Sequence, residues 1–403
     1  MAVDVAVITT HIAPAKGYGG IAESTARLVH AWAARGHAIS LCASDASLGQ
    51  PLTTGAVGLP TEVPVRLYRT WRFDRWGFGV GAPWRIWQAC HQARAVYVSG
   101  IGTWPTTLAA VLCCLLRRPF VVAPRAGLMG AYIAEIRRGK RHKWLFYRLI
   151  TLPTLRAARL LHVTSRCEAE SVTRLLPDSS GVTVANGLNL NEWPCLPPPP
   201  TRAGRVFCYI GRFSAEKGIA RFLDIWLSCR RADDRFILAG AGHTDYVQEL
   251  EAVAARGGKA VTLHGYLDRA GVQRVLADSD FLVLPSGIHH EGPRENFGNS
   301  VAEALASGRP AMATRGLAWD DLEGEGVGFL FDADEESIRA AIARAGAVTC
   351  EQAASMSAAA RRYAETRFDI DVTAATLWSL ITGGLPGAEP PENSPPPTDP
   401  VSL

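Results

Sequence analysis

The sequence has no long hydrophobic run. In a chain of 403 residues the longest apolar stretch is Leu108 to Leu116, far short of the ~20 residues that span a bilayer, so no part is expected to cross a membrane. No secretory leader is expected: Val3 to Thr9 is strand-length, with no basic segment before it and no small-residue cleavage site. No C-x-x-C pair occurs. The nine cysteines (Cys42, Cys90, Cys113, Cys114, Cys167, Cys195, Cys208, Cys229 and Cys350) are odd in number and scattered. That excludes a disulfide framework or zinc cluster and suits small buried hydrophobes in a reducing, cytoplasmic compartment. A Rossmann dehydrogenase needs a G-x-G-x-x-G turn after the first strand, and Lys16 to Gly20 reads KGYGG instead.

What is present is a globular composition, 48% apolar and 20% charged, at a length that calls for two domains of about 150 to 200 residues. The net charge of +4 is split unevenly. Residues 1–200 hold 22 Lys or Arg against 10 Asp or Glu, a net of +12, which leaves −8 for the other 203. Much of the excess lies in Arg137 to Arg159, where basic residues interleave with Trp144, Leu145, Phe146, Tyr147, Leu149 and Ile150. Such a stretch suits an amphipathic helix on anionic lipid and equally a helix packed on its own sheet with a solvated basic face. Nothing points to nucleic acid.

Apolar runs alternate with helical stretches through the first half, from Val3 to Thr9 and Ile39 to Ala43 to Leu160 to Thr164 and Val182 to Ala185. A mainly parallel sheet covered on both faces is expected. Pro194 to Pro200 (PCLPPPP) reads as a stiff linker. A second alternation follows, with strands at Val206 to Ile210, Phe236 to Ala239, Val261 to His264 and Phe281 to Leu284. The expected layout is a basic domain over 1–193, a linker over 194–202, a second domain over 203–368, a helix over 369–383 crossing back to the first domain, and a disordered tail over 384–403.

Two stretches carry chemistry. Glu295 and Glu303 sit eight positions apart in ENFGNSVAEALASGRP, after the strand that ends before Pro285. In an open α/β sheet, ligands bind beyond the carboxyl ends of the strands, where a helix start offers free N–H groups to an anion. Glu295, Asn296, Phe297 and Gly298 fall at that start. Glu303, a turn further on, can accept two hydrogen bonds from a ribose diol, each worth about 1.5 to 3 kcal/mol. The second stretch is GRFSAEKG, Gly211 to Gly218, where Arg212 and Lys217 place two cations over one loop. A guanidinium fork and a compact ammonium together can hold a diphosphate without a metal.

Together these motifs resemble the retaining glycosyltransferases of family 4, over nearly all of residues 3–381. Further marks are KGYGG, PRAGLM at Pro124 to Met129, Asn186 and Gly187, HGYL at His264 to Leu267, and LPSG at Leu284 to Gly287. RGLAWDDL, Arg315 to Leu322, is similar to the subset that assembles bacterial surface polysaccharides. The resemblance implies an α/β GT-B fold, two facing Rossmann-like domains with a cleft between them. It implies a nucleotide diphosphate sugar as donor and a saccharide or lipid-linked acceptor. It assigns Arg212 and Lys217 to the donor diphosphate, Glu303 to the ribose and Glu295 to the transferred sugar. The backbone of Phe297, Gly298 and Asn299 would hold sugar and phosphate. Gly265, Tyr266 and Leu267 would meet the base through main-chain groups, Gly19 and Gly20 would close over the donor, and Arg125 would face the acceptor. Ala126 stands where the similar subset usually has glycine.

The long loop before Glu295 contains His289, His290, Glu291 and Arg294. Glu291 competes with Glu295 as first of the pair, and spacing favours Glu295. His289 and His290 invite a metal or general-base reading, but no third ligand has suitable spacing. The D-x-D of the other large glycosyltransferase fold is not evident in a suitable loop; Asp369 to Asp371 has that spacing but sits near the C-terminal helix. No metal or other cofactor is therefore expected. A sugar phosphorylase or nucleotide-sugar epimerase would share the fold and the phosphate chemistry. A non-catalytic binding module fits poorly with the set Arg212, Lys217, Glu295 and Glu303. A basic first domain would seat the protein on the inner face of the plasma membrane.

Overall fold

A computed structural model describes residues 3–15, 17–199, 202–288 and 295–383. Lys16, His289, His290, Glu291, Arg294 and the tail 384–403 lie outside the described residues. The chain divides into two compact units, residues 1–187 with 370–403, and residues 188–369.

The first unit is built on seven parallel strands: β1 (Val3–Thr9), β2 (Ile39–Ser44), β3 (Val65–Tyr68), β4 (Ala93–Ser99), β5 (Phe120–Ala123), β6 (Leu160–Val163) and β7 (Gly181–Thr183), in the order β3-β2-β1-β4-β5-β6-β7. Strands β1, β2 and β4 to β6 are buried along most of their length, because helices cover both faces and leave alternation no solvent side to mark. Helix Ile370–Thr382 belongs to this unit. Its Trp378 stacks on His37 at 3.9 Å between ring centroids, and its Ala374 carbonyl accepts from Trp32 Nε1 at 2.8 Å.

The second unit holds β8 (Val206–Ile210), β9 (Arg235–Ala239), β10 (Val261–His264), β11 (Phe281–Leu284), β12 (Ala311–Thr314) and β13 (Gly328–Phe331), all parallel, in the order β10-β9-β8-β11-β12-β13. Phe207, Phe222, Trp226, Phe236 and Phe281 fill the core on one face. Both sheets run outward in two directions from a central pair, β1 with β4 and β8 with β11. This is the Rossmann arrangement, made twice.

Two expectations change. The proline-rich stretch, read as a stiff linker, does not stand between the units: they divide at Gly187 and Leu188, and the stretch is pinned to the second unit. The Leu196 amide donates to the Ser307 carbonyl at 3.1 Å, and the Arg309 guanidinium to the Pro197 carbonyl at 2.5 Å. The basic stretch is not one helix either. Helix Gly130–Gly139 ends at its glycine, Lys140 breaks the run, and helix Arg141–Phe146 widens into a π turn, Tyr147–Thr151, before helix Leu152–Ala157. No helix among the described residues is long and apolar enough to cross a membrane.

Candidate active site

In the second unit the loops leaving β8 and β11 part at the point where strand order reverses, and a crevice forms beyond such strand ends. The two stretches singled out by sequence are those two loops. The hydroxyl of buried Tyr209 donates to the Arg212 carbonyl at 2.8 Å and supports the first loop from below. A single 3-10 turn, Ala215–Lys217, follows, then Gly218 at φ +65°, then helix Ile219–Cys229. Gly218 has to be glycine. A β-carbon there would stand 2.4 Å from the carbonyl oxygen of Pro285, the residue that follows β11. The Gly287 amide donates to the Glu216 carbonyl at 3.2 Å, and the Arg221 guanidinium to the Ile288 carbonyl at 2.6 Å. These bonds stitch the loops together.

On this frame Lys217 and Glu295 meet. The ammonium contacts the carboxylate directly, with the two side chains only 18% and 14% exposed. The Ser286 hydroxyl reaches the same carboxylate oxygen at 3.4 Å. Arg212 points elsewhere: its side chain is 62% exposed and pairs with Glu216 at 3.0 Å. Burial opposes ionisation of Glu216, yet its own amide and the charges of Arg212 and Lys217 hold its carboxyl below the usual range.

Beyond Glu295, Phe297 is buried against Trp319 and Phe368, at 5.2 and 5.5 Å between centroids, and its carbonyl accepts from Trp319 Nε1 at 2.5 Å. Gly298, at φ +70°, turns the chain into helix Asn299–Ala306. Glu303 lies half-buried on the second turn of that helix. Gly265, Tyr266 and Leu267 follow β10, and the Gly265 carbonyl accepts from the Gly240 amide just past β9 at 3.1 Å. Tyr266 is 74% exposed.

In the first unit Gly19 and Gly20 are exposed at the start of helix Gly20–Ala34, after β1. Arg125 lies just past β5. It is only 8% exposed; its guanidinium donates to the Tyr97 hydroxyl at 3.2 Å and to the Asn186 side-chain oxygen. Arg125 and Ala126 both adopt positive φ, +53° and +69°, a region that side chains other than glycine seldom enter. That explains the usual glycine at the position of Ala126.

Tyr97 in turn contacts His162 Nδ1 at 2.7 Å, and His162 Nε2 donates to the Val184 carbonyl at 2.8 Å. Complete burial, then the charge of Arg125, pushes the imidazole down to about 3, against the pull of the Val184 carbonyl. As pH falls below the ordinary value of 6.5, the unfolded chain takes up a proton that the folded chain refuses until about pH 3. Stability conferred by the neutral ring is therefore intact above that range and lost progressively through it, at up to ~1.4 kcal/mol per pH unit. Denaturant unfolding at pH 7.5 and pH 5 should show this slope reduced in His162→Gln; equal pH dependence in variant and wild type would contradict it.

Sequence does not signal Tyr209, Ser286, Glu216 or Trp319 as parts of the site, although Ser286, Glu216 and Trp319 lie inside quoted motifs. Two further D-x-D triplets also stand in the chain. Asp280 of the first is held by Arg202 and Arg205 at 3.0 and 3.1 Å, and Asp334 of the second caps a helix through the Ser337 amide at 2.8 Å. Asp371, in the third, pairs with Arg35 at 2.7 Å. Among the described residues no group of three or more His, Cys, Asp or Glu could hold a metal ion.

Two family models match the chain, one on each unit. Residues 19–187 match the glycosyl transferase 4-like domain, and residues 204–346 match glycosyl transferases group 1. The chain is a GT-B glycosyltransferase of the family-4-like group. A GDP-mannose-dependent alpha-(1-6)-phosphatidylinositol dimannoside mannosyltransferase of Mycobacterium tuberculosis is 32% identical over 146 residues, 36% of this chain and 35% of the relative. The match thus spans about a third of that relative. Among solved structures, HepE of Anabaena in complex with UDP aligns with this glycosyltransferase at a TM-score of 0.72 and 16% identity, covering 94% of this chain and 100% of the other. WaaG, a glycosyltransferase involved in lipopolysaccharide biosynthesis, aligns at 0.62 and 14%, covering 94% and 100%. At these identities the likeness speaks for the fold.

Proposed function

We propose that this glycosyltransferase moves a sugar from a nucleotide diphosphate sugar to a saccharide or lipid-linked acceptor, with retention of anomeric configuration, in the assembly of a bacterial surface polysaccharide. The observation that carries the reading is the Lys217–Glu295 pair at the strand-order reversal of the second unit. With donor bound, Lys217 exchanges a carboxylate for the diphosphate and Arg212 adds a second cation from its exposed position. Glu295 is then released to accept from hydroxyls of the sugar. Glu303 accepts from the ribose diol, amides of Phe297, Gly298 and Asn299 face the sugar and phosphate, and Gly265 to Leu267 meet the base. Gly19 and Gly20 close from the first unit. Arg125 acts by holding its own segment rather than by touching the acceptor.

The front-side route balances without a protein nucleophile. The acceptor oxygen bonds to the anomeric carbon on the face from which the diphosphate oxygen departs, and that oxygen takes the acceptor's proton. Lys217 and Arg212 take up the charge that develops on the leaving group, so no metal is needed. HepE binds UDP and the mycobacterial relative is GDP-mannose-dependent; both support a nucleoside diphosphate donor, and neither fixes the base. WaaG and the RGLAWDDL stretch support the pathway. The basic stretch over 137–159 supports seating on the inner leaflet, at about 1 kcal/mol per cation near an anionic surface.

Incubation with UDP-, GDP- and ADP-sugars should release nucleoside diphosphate only when an acceptor is supplied, and equally in the presence of a chelator. Nuclear magnetic resonance of the product should show the donor's anomeric configuration. An isomerised sugar without acceptor would indicate an epimerase, a need for inorganic phosphate would indicate a phosphorylase, and an inverted product would end the front-side mechanism.

A further inference from the structure

Between β3 and helix Ala82–Gln92 the chain reads RTWRFDRWGFGVGAPWR, Arg69 to Arg85, and none of it enters the chemistry above. The segment is a built hairpin. The Trp71 amide donates to the Phe78 carbonyl at 3.0 Å, and Arg72 and Phe78 pair antiparallel. Its base lies over the carboxyl ends of the central strands of its unit. His11 Nε2, just past β1, donates to the Asp74 carbonyl at 2.9 Å, and Trp76 Nε1 donates to the carbonyl of Gly102, just past β4, at 3.2 Å. Phe78 and Trp104 close the underside, 5.3 Å apart between centroids.

The outer rings have no such cover. Trp71 and Phe73 are 69% and 71% exposed, an arrangement that water disfavours and that marks a contact surface. Beside them opens a cavity of about 650 Å³, whose wall includes Leu67, Trp71 and Val80 together with Arg69 and Arg85. The charged groups that line the cavity are the guanidiniums of Arg69 and Arg85, with no carboxylate among the lining residues. The Thr70 and Tyr68 hydroxyls already donate, to Asp45 at 3.0 Å and to the Gly77 carbonyl at 3.1 Å, so neither offers its proton to a ligand. Cations set among rings match an amphiphile with an anionic head. Trp at the headgroup level and Arg on lipid phosphate are the side chains of a membrane interface.

The hairpin also adjoins the basic stretch. A β-carbon on Gly102, which takes the Trp76 bond, would stand 2.8 Å from the Tyr147 hydroxyl oxygen. Tyr147 opens the π turn that carries Leu149, and Leu145 precedes it; these leucines are 63% and 55% exposed. Exposed apolar groups and cations therefore continue from the hairpin to the 141–149 segment.

We propose that the Arg69–Arg85 hairpin is an interfacial anchor: Trp71 and Phe73 enter the headgroup–acyl boundary of an anionic membrane, while Arg69 and Arg85 hold a lipid phosphate in the cavity between them. The inference rests on the reading that the first unit works at a membrane surface. The test is sedimentation with phosphatidylglycerol-containing and with pure phosphatidylcholine vesicles at low and high salt, together with quenching of tryptophan fluorescence by brominated acyl chains. Three variants are compared with wild type: Trp71→Ser with Phe73→Ser, Arg69→Gln with Arg85→Gln, and Arg137→Gln with Arg138→Gln and Arg141→Gln. Trp71 and Phe73 are exposed, so retained donor binding should confirm that the fold survives.

The ring variant is expected to lower partitioning about tenfold, to lose the salt-resistant fraction and to weaken the quenching. The Arg69/Arg85 variant should lose preference for the anionic lipid. The 137–141 variant should lose only the salt-sensitive part. If that last variant abolishes binding while the ring variant partitions as wild type does, the membrane reading stands and the anchor falls. If wild type binds neither vesicle, both fall. Unchanged partitioning of the ring variant with lost transfer to a water-soluble saccharide would overturn the anchor in favour of an acceptor platform.

Discussion

Lys217→Ala is expected to lower turnover by about 10²- to 10³-fold while the chain remains folded, because the removal of one charge-stabilising donor at a developing anion has that effect. The structure adds a stability term. Lys217 and Glu295 shield each other, and the carboxylate left behind is 14% exposed with the Ser286 hydroxyl beside it at 3.4 Å. An unpaired charge at that depth destabilises the second unit by about 1 to 3 kcal/mol, less than a fully buried pair would lose. Adding Glu295→Ala to the same chain should restore stability without restoring turnover, since the cation is still missing. Denaturant unfolding and single-turnover rates on the two single variants and the double variant separate these effects. Near-normal turnover in folded Lys217→Ala would remove the lysine from the chemistry. A double variant as unstable as Lys217→Ala would show that the ion pair is not what stabilises this corner.

How much of this was legible follows from what burial does to a sequence. Val206–Ile210 and Phe281–Leu284 are uninterrupted apolar strands covered on both faces, and they stand out. β3 does not: Val65, Arg66, Leu67 and Tyr68 form a half-exposed edge with an arginine inside it. β12 is buried throughout but is Ala311, Met312, Ala313 and Thr314, residues that helices accept as readily. The order of the motifs was legible because each loop is read locally. Their pairing was not, since Lys217 and Glu295 are 78 positions apart and meet only through the adjacency of β8 and β11. The burial of Arg125 was hidden for a similar reason, as its partners Tyr97 and Asn186 come from other loops and strands. The 69–85 hairpin gives no periodic signal at all, because its rings are placed by a bridge and by bonds to residues past β1 and β4.

Gly218→Ala is expected to cost about 2 to 4 kcal/mol in the stability of the second unit and to lower turnover further than the unfolded fraction accounts for. Two effects coincide at this residue. Its φ of +65° costs an L-residue ~1 to 2 kcal/mol, and the new β-carbon would stand 2.4 Å from the Pro285 carbonyl oxygen. That oxygen cannot retreat cheaply, because Pro285 directly follows β11, which is hydrogen-bonded into the sheet between β8 and β12. The loops must therefore part, and Lys217, the neighbouring residue, moves away from Glu295. Gly316→Ala supplies the control: φ there is +80°, and nothing lies within 4 Å of the added carbon. It should lose only the backbone term, ~1 to 2 kcal/mol, and leave donor affinity unchanged. Denaturant unfolding and donor titration on both variants decide the matter. If Gly218→Ala is no more damaging than Gly316→Ala in either measurement, the close approach of the two loops does not hold Lys217 against Glu295.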